Sequence, residues 1–387
     1  MNSILFISFS GPLPNTDGKR QRTNAILDAL SSKYRVDFLI VDNLNEFQIA
    51  SKAFQSRNIN FLYFTTNRDS WVYKVKKKIG YSFIGDKGLN TFIKELNEKN
   101  QYSFVFSRYI NPVSSIPNNL KIICDIDDDF FELFQSKKIL ENNLVSKLIL
   151  HFRYLINLNK YKHLISKIDL AFFVKNEKNK LCYNEILPNL PFQLLTNSNL
   201  DFTSCDSINL LFVGKLSYKP NLDGIKWFLQ EIWPYLNENI KKIELTIVSS
   251  VPFYSEEMNS IITSYSNIQV LYNVDSIQEV YKKNSVVIAP VFQGGGSSIK
   301  IVESLMMGRP VITSEFGCRG FENAVNEGFI IPCFTKFDYL NGINSIFTSN
   351  LEIEKFQNEI YLWSKNEYNL KDWRLNLLKS VKVIHEK

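Results

Sequence analysis

Residues Val286–Cys318 read VVIAPVFQGGGSSIKIVESLMMGRPVITSEFGC, and this stretch decides the fold. The run VVIAP is short, apolar and rich in β-branched residues, which is typical of a buried parallel strand. Three glycines follow, and then comes a segment with the apolar spacing of a helix, which ends at Gly308 and Pro310 before PVIT starts another strand. The pattern predicts a βαβ unit of about thirty residues with a glycine loop at the start of its helix.

The glycine loop has the composition of an anion-binding site. Glycines let the backbone approach a ligand closely, and the N–H groups at a helix start attract phosphate because the helix dipole lies behind them. Lys300 adds a mobile positive charge. Glu303 lies three residues further on the same helix face, where its carboxylate would accept hydrogen bonds from two hydroxyls, as a ribose offers. The predicted loop residues are Gly294, Gly295, Gly296, Ser297 and Ser298. The pattern also fits an ordinary glycine turn followed by a solvated lysine–glutamate pair.

Three blocks of the sequence resemble one enzyme family. The block GGGSSIKIVESLMMGRPVITSEFGCRG resembles the donor-site segment of family 4 glycosyltransferases of the GT-B fold, and is similar to a bacterial glycosyl transferases group 1 subgroup with a Gly-Gly-Gly loop. The block Leu210–Leu236, with its Pro220–Asn221 pair, resembles the opening of that subgroup's second domain, and Asp169–Leu181 is similar to the end of its first. The resemblance implies an α/β protein of GT-B type, in which two Rossmann-like domains face each other across a cleft.

The resemblance also implies roles for individual residues. Many family members bind the donor diphosphate with an arginine and a lysine after the first strand of the second domain, and the positions implied here are Lys219 and Lys215. Gly214, which ends that strand, is also predicted to lie at the donor site. The second glutamate of the family's paired motif corresponds to Glu303, which implies the ribose contact. The first glutamate, which normally contacts the donor sugar, is replaced by Gly295. Lys300 and Glu303 are therefore the main expected catalytic residues.

The chain is predicted to divide at a linker. Residues 187–207 are rich in proline, asparagine and serine, and a new α/β pattern begins at Ile208. We therefore expect an acceptor domain over residues 1–195 and a nucleotide-sugar donor domain over residues 206–365. In the fold that the chain resembles, a final helix crosses back to the first domain, and residues 366–387 are expected to form it.

The first domain opens with another strand, glycine loop and helix. By the same reasoning, Gly11 and Gly18 would let the backbone reach a ligand, and Arg20 or Arg22 would meet a phosphate. An ordinary turn with solvated arginines fits equally well. The residues predicted for an acceptor-side loop are Gly11, Gly18, Arg22 and Asp125.

The densest acidic group of the chain is DIDDD, residues 125–129, after a predicted strand. Asp125-x-Asp127 matches the metal motif of the GT-A glycosyltransferases, in which two carboxylates hold a divalent ion on the donor diphosphate. In the GT-B interpretation, the same loop faces the acceptor, and Asp127 is the candidate general base. A solvated loop that caps the next helix is a third interpretation.

Composition excludes several classes of protein. The 387 residues are 45% apolar and 22% charged, as in ordinary globular chains. The net charge of +6 suits phosphorylated ligands and anionic surfaces but not a nucleic-acid partner. No apolar run reaches the roughly 18 residues of a membrane-spanning helix, and the apolar start lacks the basic region of a signal peptide. Scattered cysteines and only three histidines argue for a reducing cytoplasm and against a metal site.

The segment Arg68–Gly85 interleaves aromatic with basic residues. This composition suits the interface of an anionic membrane, where a lipid-linked acceptor would be found. A charged helix face over a normal core is the alternative. The predicted contact residues are Trp71, Lys74, Lys76, Lys77 and Lys78. The expected location is the cytoplasm, at the inner face of the cytoplasmic membrane.

These features predict a glycosyltransferase that moves a sugar from a nucleotide-sugar to a glycan or lipid-linked glycan in bacterial cell-surface polysaccharide synthesis. Loop amides and lysines would stabilise the leaving diphosphate, so no metal or other cofactor is expected, and the resemblance implies retention of the anomeric configuration. One alternative is a metal-dependent Asp-x-Asp glycosyltransferase. A second is a non-catalytic nucleotide-binding or scaffold protein, which the missing first glutamate leaves open. A nucleotide-sugar epimerase or phosphorylase is a more distant third.

Overall fold

A computed structural model describes residues 2–13, 18–54, 58–127, 130–141, 143–175, 182–191, 208–240, 242–252, 255–294, 297–347 and 353–386. The chain forms two compact units. The first comprises Met1–Pro188 and Leu370–Lys387, and the second comprises Asn189–Asn369. The predicted boundaries at residues 195 and 206 lie outside the described residues.

The first unit is built on a parallel sheet. Its strands are β1 (Ser3–Ser8), β2 (Arg35–Val41), β3 (Ile59–Phe64), β4 (Val105–Arg108), β5 (Ile122–Asp127), β6 (Leu170–Phe173) and β7 (Asn184–Ile186). Their order across the sheet is β3-β2-β1-β4-β5-β6-β7. Its helices are α1 (Gly18–Ser31), α2 (Leu44–Ala53), α3 (Trp71–Ile79), α4 (Lys87–Asn100), α5 (Phe130–Leu140), α6 (Leu144–Ile165) and the C-terminal α15 (Leu370–Glu386).

The centre of this sheet is held by aromatic side chains in register. The parallel pairing sets Phe6 of β1 opposite Phe38 of β2 and Phe106 of β4. The ring centroid of Phe6 lies 4.6 Å from that of Phe38 and 5.0 Å from that of Phe106. Residues 4–8 of β1 are all buried. Because successive side chains of a strand point to opposite faces, both faces of the sheet are covered, which explains why these strands read as unbroken apolar runs.

The second unit repeats this architecture. Its strands are β8 (Ile208–Val213), β9 (Ile243–Ser249), β10 (Ile268–Tyr272), β11 (Val286–Ala289), β12 (Val311–Ser314) and β13 (Ile330–Cys333), in the order β10-β9-β8-β11-β12-β13. Its helices are α7 (Lys219–Glu231), α8 (Trp233–Asn239), α9 (Glu256–Thr263), α10 (Ile277–Lys282), α11 (Ile299–Met306), α12 (Glu322–Asn326), α13 (Lys336–Phe347) and α14 (Ile353–Glu367). The predicted α/β class with parallel sheets is confirmed.

Each sheet has a point where the strand order reverses. The reversal lies between β1 and β4 in the first unit and between β8 and β11 in the second. Open α/β sheets bind ligands at the carboxyl ends of the strands at such a point, because the connections there leave to opposite faces and open a crevice. The predicted glycine loop follows β11, and Gly214 follows β8. The fold therefore brings two predicted site segments to the same place.

The last helix belongs to the first unit. Arg374 of α15 forms an ion pair with Asp28 of α1. The indole Nε1 of Trp373 donates to the carbonyl of Pro188 at 2.8 Å, and Lys121 Nζ donates to the carbonyl of Ile384 at 3.2 Å. Helix α14 of the second unit continues to residue 367, so the segment that joins the first unit begins at residue 370 and not at 366.

Candidate functional site

The glycine loop runs from the end of β11 to the start of α11. Gly294 has a φ of 149°, a backbone conformation that side chains of L-residues rarely adopt. Gly295 and Gly296 lie outside the described residues. Ser298 is the N-cap of α11, but its side chain makes no capping hydrogen bond to the helix. The side chain of Ser298 thus leaves the first turn of α11 uncapped, as anion binding by backbone N–H groups requires.

Side chains of the same unit attach the loop to its surroundings. Asn189 Nδ2 donates to the carbonyl of Ser297 at 3.0 Å. Arg319 Nη2 donates to the carbonyl of Gly294 at 3.4 Å. Because both contacts use carbonyl oxygens, they fix the path of the loop without occupying its N–H groups.

Lys300 is a buried cation beside this loop. Its side chain is 9% exposed, and Nζ donates to Asn221 Oδ1 at 2.7 Å. Nζ also lies 4.9 Å from the ring centroid of Phe212, at the end of β8. Burial lowers the pKa of Lys300 to about 8, although the Glu303 carboxylate opposes that shift. An anion bound next to Nζ would raise this pKa again, because it favours the charged form.

Glu303 is held by a tyrosine that the sequence analysis did not identify. Glu303 is 7% exposed, and the hydroxyl of Tyr281 donates to its Oε2 at 3.4 Å. Burial, and then the neighbouring Glu303, raise the pKa of Tyr281 well above its usual value, so the hydroxyl keeps its proton. Arg309 Nε in turn donates to the carbonyl of Tyr281 at 2.9 Å. The orientation of Glu303 is therefore set by α10 as well as by its own helix.

Gly214 and Asn221 connect the end of β8 to Lys300. A Cβ atom on Gly214 would lie 2.9 Å from Asn221 Nδ2 and 3.2 Å from Lys300 Nζ, so glycine is needed for this close approach. Asn221 uses both ends of its amide: Oδ1 accepts from Lys300, and Nδ2 donates to the carbonyl of Lys215 at 3.1 Å. Asn221 is thus a positioning residue that the sequence showed only as part of the Pro220–Asn221 pair.

The two other predicted lysines lie at the surface of the second unit. Lys215 follows β8 and Lys219 opens α7, and both side chains are exposed. Asn221 lies in the first turn of the same helix as Lys219. Their contact with a diphosphate stays a prediction.

Three of the residues predicted for the acceptor-side loop lie in a helix or a strand. Arg22 lies inside α1 and Asp125 inside β5, and Gly18 is the first residue of α1. The N–H of Gly11 donates to the carboxylate of Glu46, so it is already occupied.

Arg22 and Asp125 form a buried bidentate ion pair. Arg22 Nε donates to Asp125 Oδ2 at 2.9 Å and Nη2 donates to Oδ1 at 2.6 Å. Arg108 Nη1 lies 2.8 Å from Asp125 Oδ2, and its Nη2 lies 2.7 Å from Asp127 Oδ2. The side chains of Arg22, Arg108 and Asp125 are at most 1% exposed. The positive charges of two arginines are balanced here by the negative charges of two aspartates, which is the condition for burying charged groups. Arg22 therefore offers no accessible guanidinium to a phosphate.

This arrangement also weighs against the other roles expected for the acidic group. Burial raises the pKa of Asp127, but Arg108 and Arg22 outweigh burial, so that the pKa lies below its usual value. A carboxylate stabilised as an anion is a weak general base. A divalent ion at Asp125 would have to displace guanidinium groups from both carboxylate oxygens. Asp128 and Asp129 lie outside the described residues, and those that are described include no group of three His, Cys, Asp or Glu arranged for a metal.

The predicted membrane-contact residues lie on α3. Trp71 is 75% exposed, and the side chains of Lys74, Lys76, Lys77 and Lys78 are exposed as well. No residue of this helix is buried. These side chains are exposed, which contact with a membrane requires, but the contact itself stays a prediction.

Comparison with known proteins shows a match to one family model and a similar bacterial protein. Residues 207–347, which contain the glycine loop, Lys300 and Glu303, match the family model described as glycosyl transferases group 1. An uncharacterized 44.6 kDa protein from the cps region of Klebsiella pneumoniae is 24% identical to this chain over 349 residues, covering 86% of this chain and 87% of that protein.

Solved structures match over nearly the whole length. The sucrose-phosphate synthase of Thermosynechococcus elongatus superposes with a TM-score of 0.72 at 13% identity, covering 99% of both chains. Anabaena HepE, solved with UDP and glucose, superposes with a TM-score of 0.67 at 12% identity, covering 99% of this chain and 100% of its own. These similarities confirm the predicted GT-B fold, and the match of residues 207–347 to the glycosyl transferases group 1 model supports the predicted glycosyltransferase.

Proposed function

We propose that the chain transfers a sugar from a nucleotide-sugar to a glycan or lipid-linked glycan acceptor in the synthesis of a bacterial cell-surface polysaccharide. The observation that carries the donor assignment is the buried Lys300 beside an uncapped helix start at the strand-order reversal of the second unit. HepE is solved with UDP and glucose, and the Klebsiella relative lies in a cps region, which supports a nucleotide-sugar donor and a polysaccharide product.

The proposed binding mode uses the ammonium group of Lys300. Lys300 is hydrogen-bonded to the neutral amide of Asn221 and forms no salt bridge within the described part of the chain. Its ammonium and the N–H groups of the first turn of α11 would contact the diphosphate. Glu303, oriented by Tyr281, would accept hydrogen bonds from the ribose hydroxyls.

The proposed reaction is an exchange at the anomeric carbon. The bond from that carbon to the diphosphate oxygen breaks, and the acceptor hydroxyl attacks from the same face, so the configuration is retained. The proton of the acceptor passes to the departing phosphate. Lys300 and the helix N–H groups stabilise the negative charge that develops on the diphosphate, and they act most strongly in the transition state because they are already in place. In this proposal these groups replace a divalent metal ion.

A peripheral position at the cytoplasmic membrane is part of the proposal. A lipid-linked acceptor has its lipid in the bilayer, and α3 presents Trp71 and its lysines to solvent. None of the helices in the described ranges combines the length and the apolar character needed to cross a membrane.

A nucleotide panel tests the donor site. We expect one nucleoside diphosphate among UDP, GDP, CDP and ADP to raise the unfolding temperature equally in EDTA and in Mg²⁺. A ligand at about one hundred times its Kd stabilises a protein by roughly 2.7 kcal/mol, which thermal shift detects readily. We expect Glu303→Ala to remove most of the shift because the ribose contact is lost.

The matched control for this experiment is Glu322→Ala, which changes an exposed glutamate of α12 in the same unit. It should keep the full shift. A shift that requires Mg²⁺ and disappears in Asp127→Ala would replace this proposal by the metal-dependent one. Failure of every nucleotide to stabilise the protein would contradict a donor site of either kind.

Gly214→Ala is expected to weaken nucleotide binding about tenfold while the protein stays folded. The new methyl group meets Asn221 Nδ2 and Lys300 Nζ, which are the ends of flexible side chains, so these two groups shift and the backbone does not. A misplaced charged hydrogen bond costs about 1.5 kcal/mol, or roughly a factor of ten. Calorimetric titration with the nucleotide from the panel measures the change. An unaltered Kd would show that the Asn221–Lys300 pair does not contact the ligand.

A further inference from the structure

Helix α6 is apolar on two opposite faces. Its inner face carries Tyr161, Leu164 and Ile165, which are completely buried in the core of the first unit. The opposite side carries a second apolar stripe that faces solvent. At about 100° per residue, its members fall within an arc of about 140°. They are Leu144, Val145, Leu148, Ile149, Phe152 and Leu155. A surface helix normally turns polar residues outward, so this stripe is an unexplained apolar surface.

Helix α3 shows the same feature on a smaller scale. Trp71, Val72, Val75 and Ile79 are all exposed, and they lie within about 100° of one another around the helix axis. Four lysines and Tyr73 occupy the remainder of the circumference. Lys76 and Lys78 lie along the two edges of the stripe, Lys74 pairs with Asp69 at 3.1 Å, and Lys77 lies on the opposite side of the helix. An apolar stripe with lysines along its edges is typical of a helix that lies in a membrane interface.

The two helices are neighbours in the same unit. Gly80, which ends α3, accepts a hydrogen bond from Asn157 Nδ2 of α6 at 2.9 Å. The N–H of Ser82 donates to Asn157 Oδ1 at 2.7 Å. A Cβ atom on Gly80 would lie 2.6 Å from Arg153 Cγ, so the end of α3 sits directly against α6. The end of α3 therefore lies beside the part of α6 that also carries Phe152 and Leu155 of the outward stripe.

We infer that α3 and the outward stripe of α6 form one docking surface for an anionic lipid membrane. Charge identifies the partner. Helix α3 carries four lysines, α6 carries three lysines and one arginine, and neither contains an aspartate or a glutamate. A second copy of the chain would bring basic helices against basic helices, whereas anionic headgroups complement them and the acyl region accepts the apolar stripe. The sequence predicted either a membrane contact or a charged helix face for α3, and it indicated no such role for α6.

This inference rests on the proposed function, because a lipid-linked acceptor lies in a membrane. The experiment that tests it measures vesicle binding and not sugar transfer. The full-length protein is sedimented with vesicles of phosphatidylcholine alone and with vesicles that also contain phosphatidylglycerol. We expect binding to the second kind, weakened by added salt because exposed charges are screened.

Two variants separate the apolar and the electrostatic contributions. Leu148→Ser with Phe152→Ser removes two exposed side chains from the middle of the α6 stripe and should weaken partitioning at least about tenfold. Lys76→Gln with Lys78→Gln should weaken it roughly thirtyfold. The matched controls are Phe337→Ser, an exposed phenylalanine of α13, and the double change Lys87→Gln and Lys94→Gln on α4. Both controls should bind vesicles as the parent protein does.

Three results would overturn the inference. They are absence of binding to anionic vesicles at low salt, equal binding by the α6 variant and the parent, and self-association in sedimentation velocity that Phe152→Ser abolishes. The last would assign the stripe to a second copy. Because the changed residues are exposed and lie outside the proposed donor site, all variants should keep the nucleotide-induced thermal shift. A failed donor assignment and a failed membrane assignment therefore give different results.

Discussion

Replacing Lys300 by methionine is expected to lower kcat by about two to three orders of magnitude, the typical loss when one preorganised donor to a developing negative charge is removed. Methionine keeps most of the length and apolar volume of the lysine stem, so the packing against Phe212 survives while the charge is lost. Lys300 is hydrogen-bonded to Asn221 before substrate arrives, so the ammonium does not have to be ordered during the reaction. Steady-state release of the nucleoside diphosphate measures the effect.

The control is Lys226→Met, which removes a lysine of α7 that pairs with Glu257 in the same unit. It should keep kcat within about twofold, as surface substitutions usually do. The pH profile gives a second readout. Lys300 has a pKa of about 8 because burial disfavours its charged form, so the cation is present below that pH and is lost above it. We expect kcat/KM of the parent enzyme to fall as pH rises through 8, and Lys300→Met to lose this titration. A flat parent profile with a methionine variant of near-normal kcat would contradict the role of Lys300.

The part of this site that the sequence predicted is the part encoded locally. Strand β11, the glycine loop and α11 follow one another without interruption, and apolar spacing and glycine conformation identify each of them. Lys300 and Glu303 are three residues apart, so helix geometry alone sets them side by side. The sequence also predicts where most strands end, because buried parallel strands are continuous apolar runs. The three-residue β7, of sequence NEI, lacks that signal and was not predicted.

The contacts that fix the site could not be read from the sequence because they join distant segments. Asn221 meets Lys300 across 79 residues, and Arg22 meets Asp125 across 103. The run DIDDD has the appearance of a solvated acidic loop, and nothing local shows that two arginines hold Asp125 inside the sheet. Helix α6 is apolar on two faces, and such a pattern does not show which face is left outside.

Replacing Asp125 by alanine is expected to destabilise the first unit by about 3–5 kcal/mol. The change removes the bidentate partner of Arg22, whose side chain is only 1% exposed. It also removes one of the two carboxylates that balance the charge of Arg108. An unpaired buried charge costs far more than the ion pair contributes, because neither water nor a counter-ion reaches it. Urea unfolding followed by circular dichroism measures the shift in the transition of the first unit.

Two further variants test whether this loss of stability comes from a buried charge that has lost its counter-charge. Asp127→Asn keeps the shape of a partly exposed carboxylate with one arginine partner and leaves the Arg22–Asp125 pair intact, so it should cost less than Asp125→Ala. Asn also tolerates the φ of 62° at this position better than most residues do. Arg22→Met combined with Asp125→Leu removes both charges and should recover much of the lost stability, since apolar residues often replace a buried ion pair without loss. An Asp125→Ala variant that is as stable as the parent but inactive would contradict this account. Asp125 would then act on substrate or metal, and its main role would not be the buried ion pair.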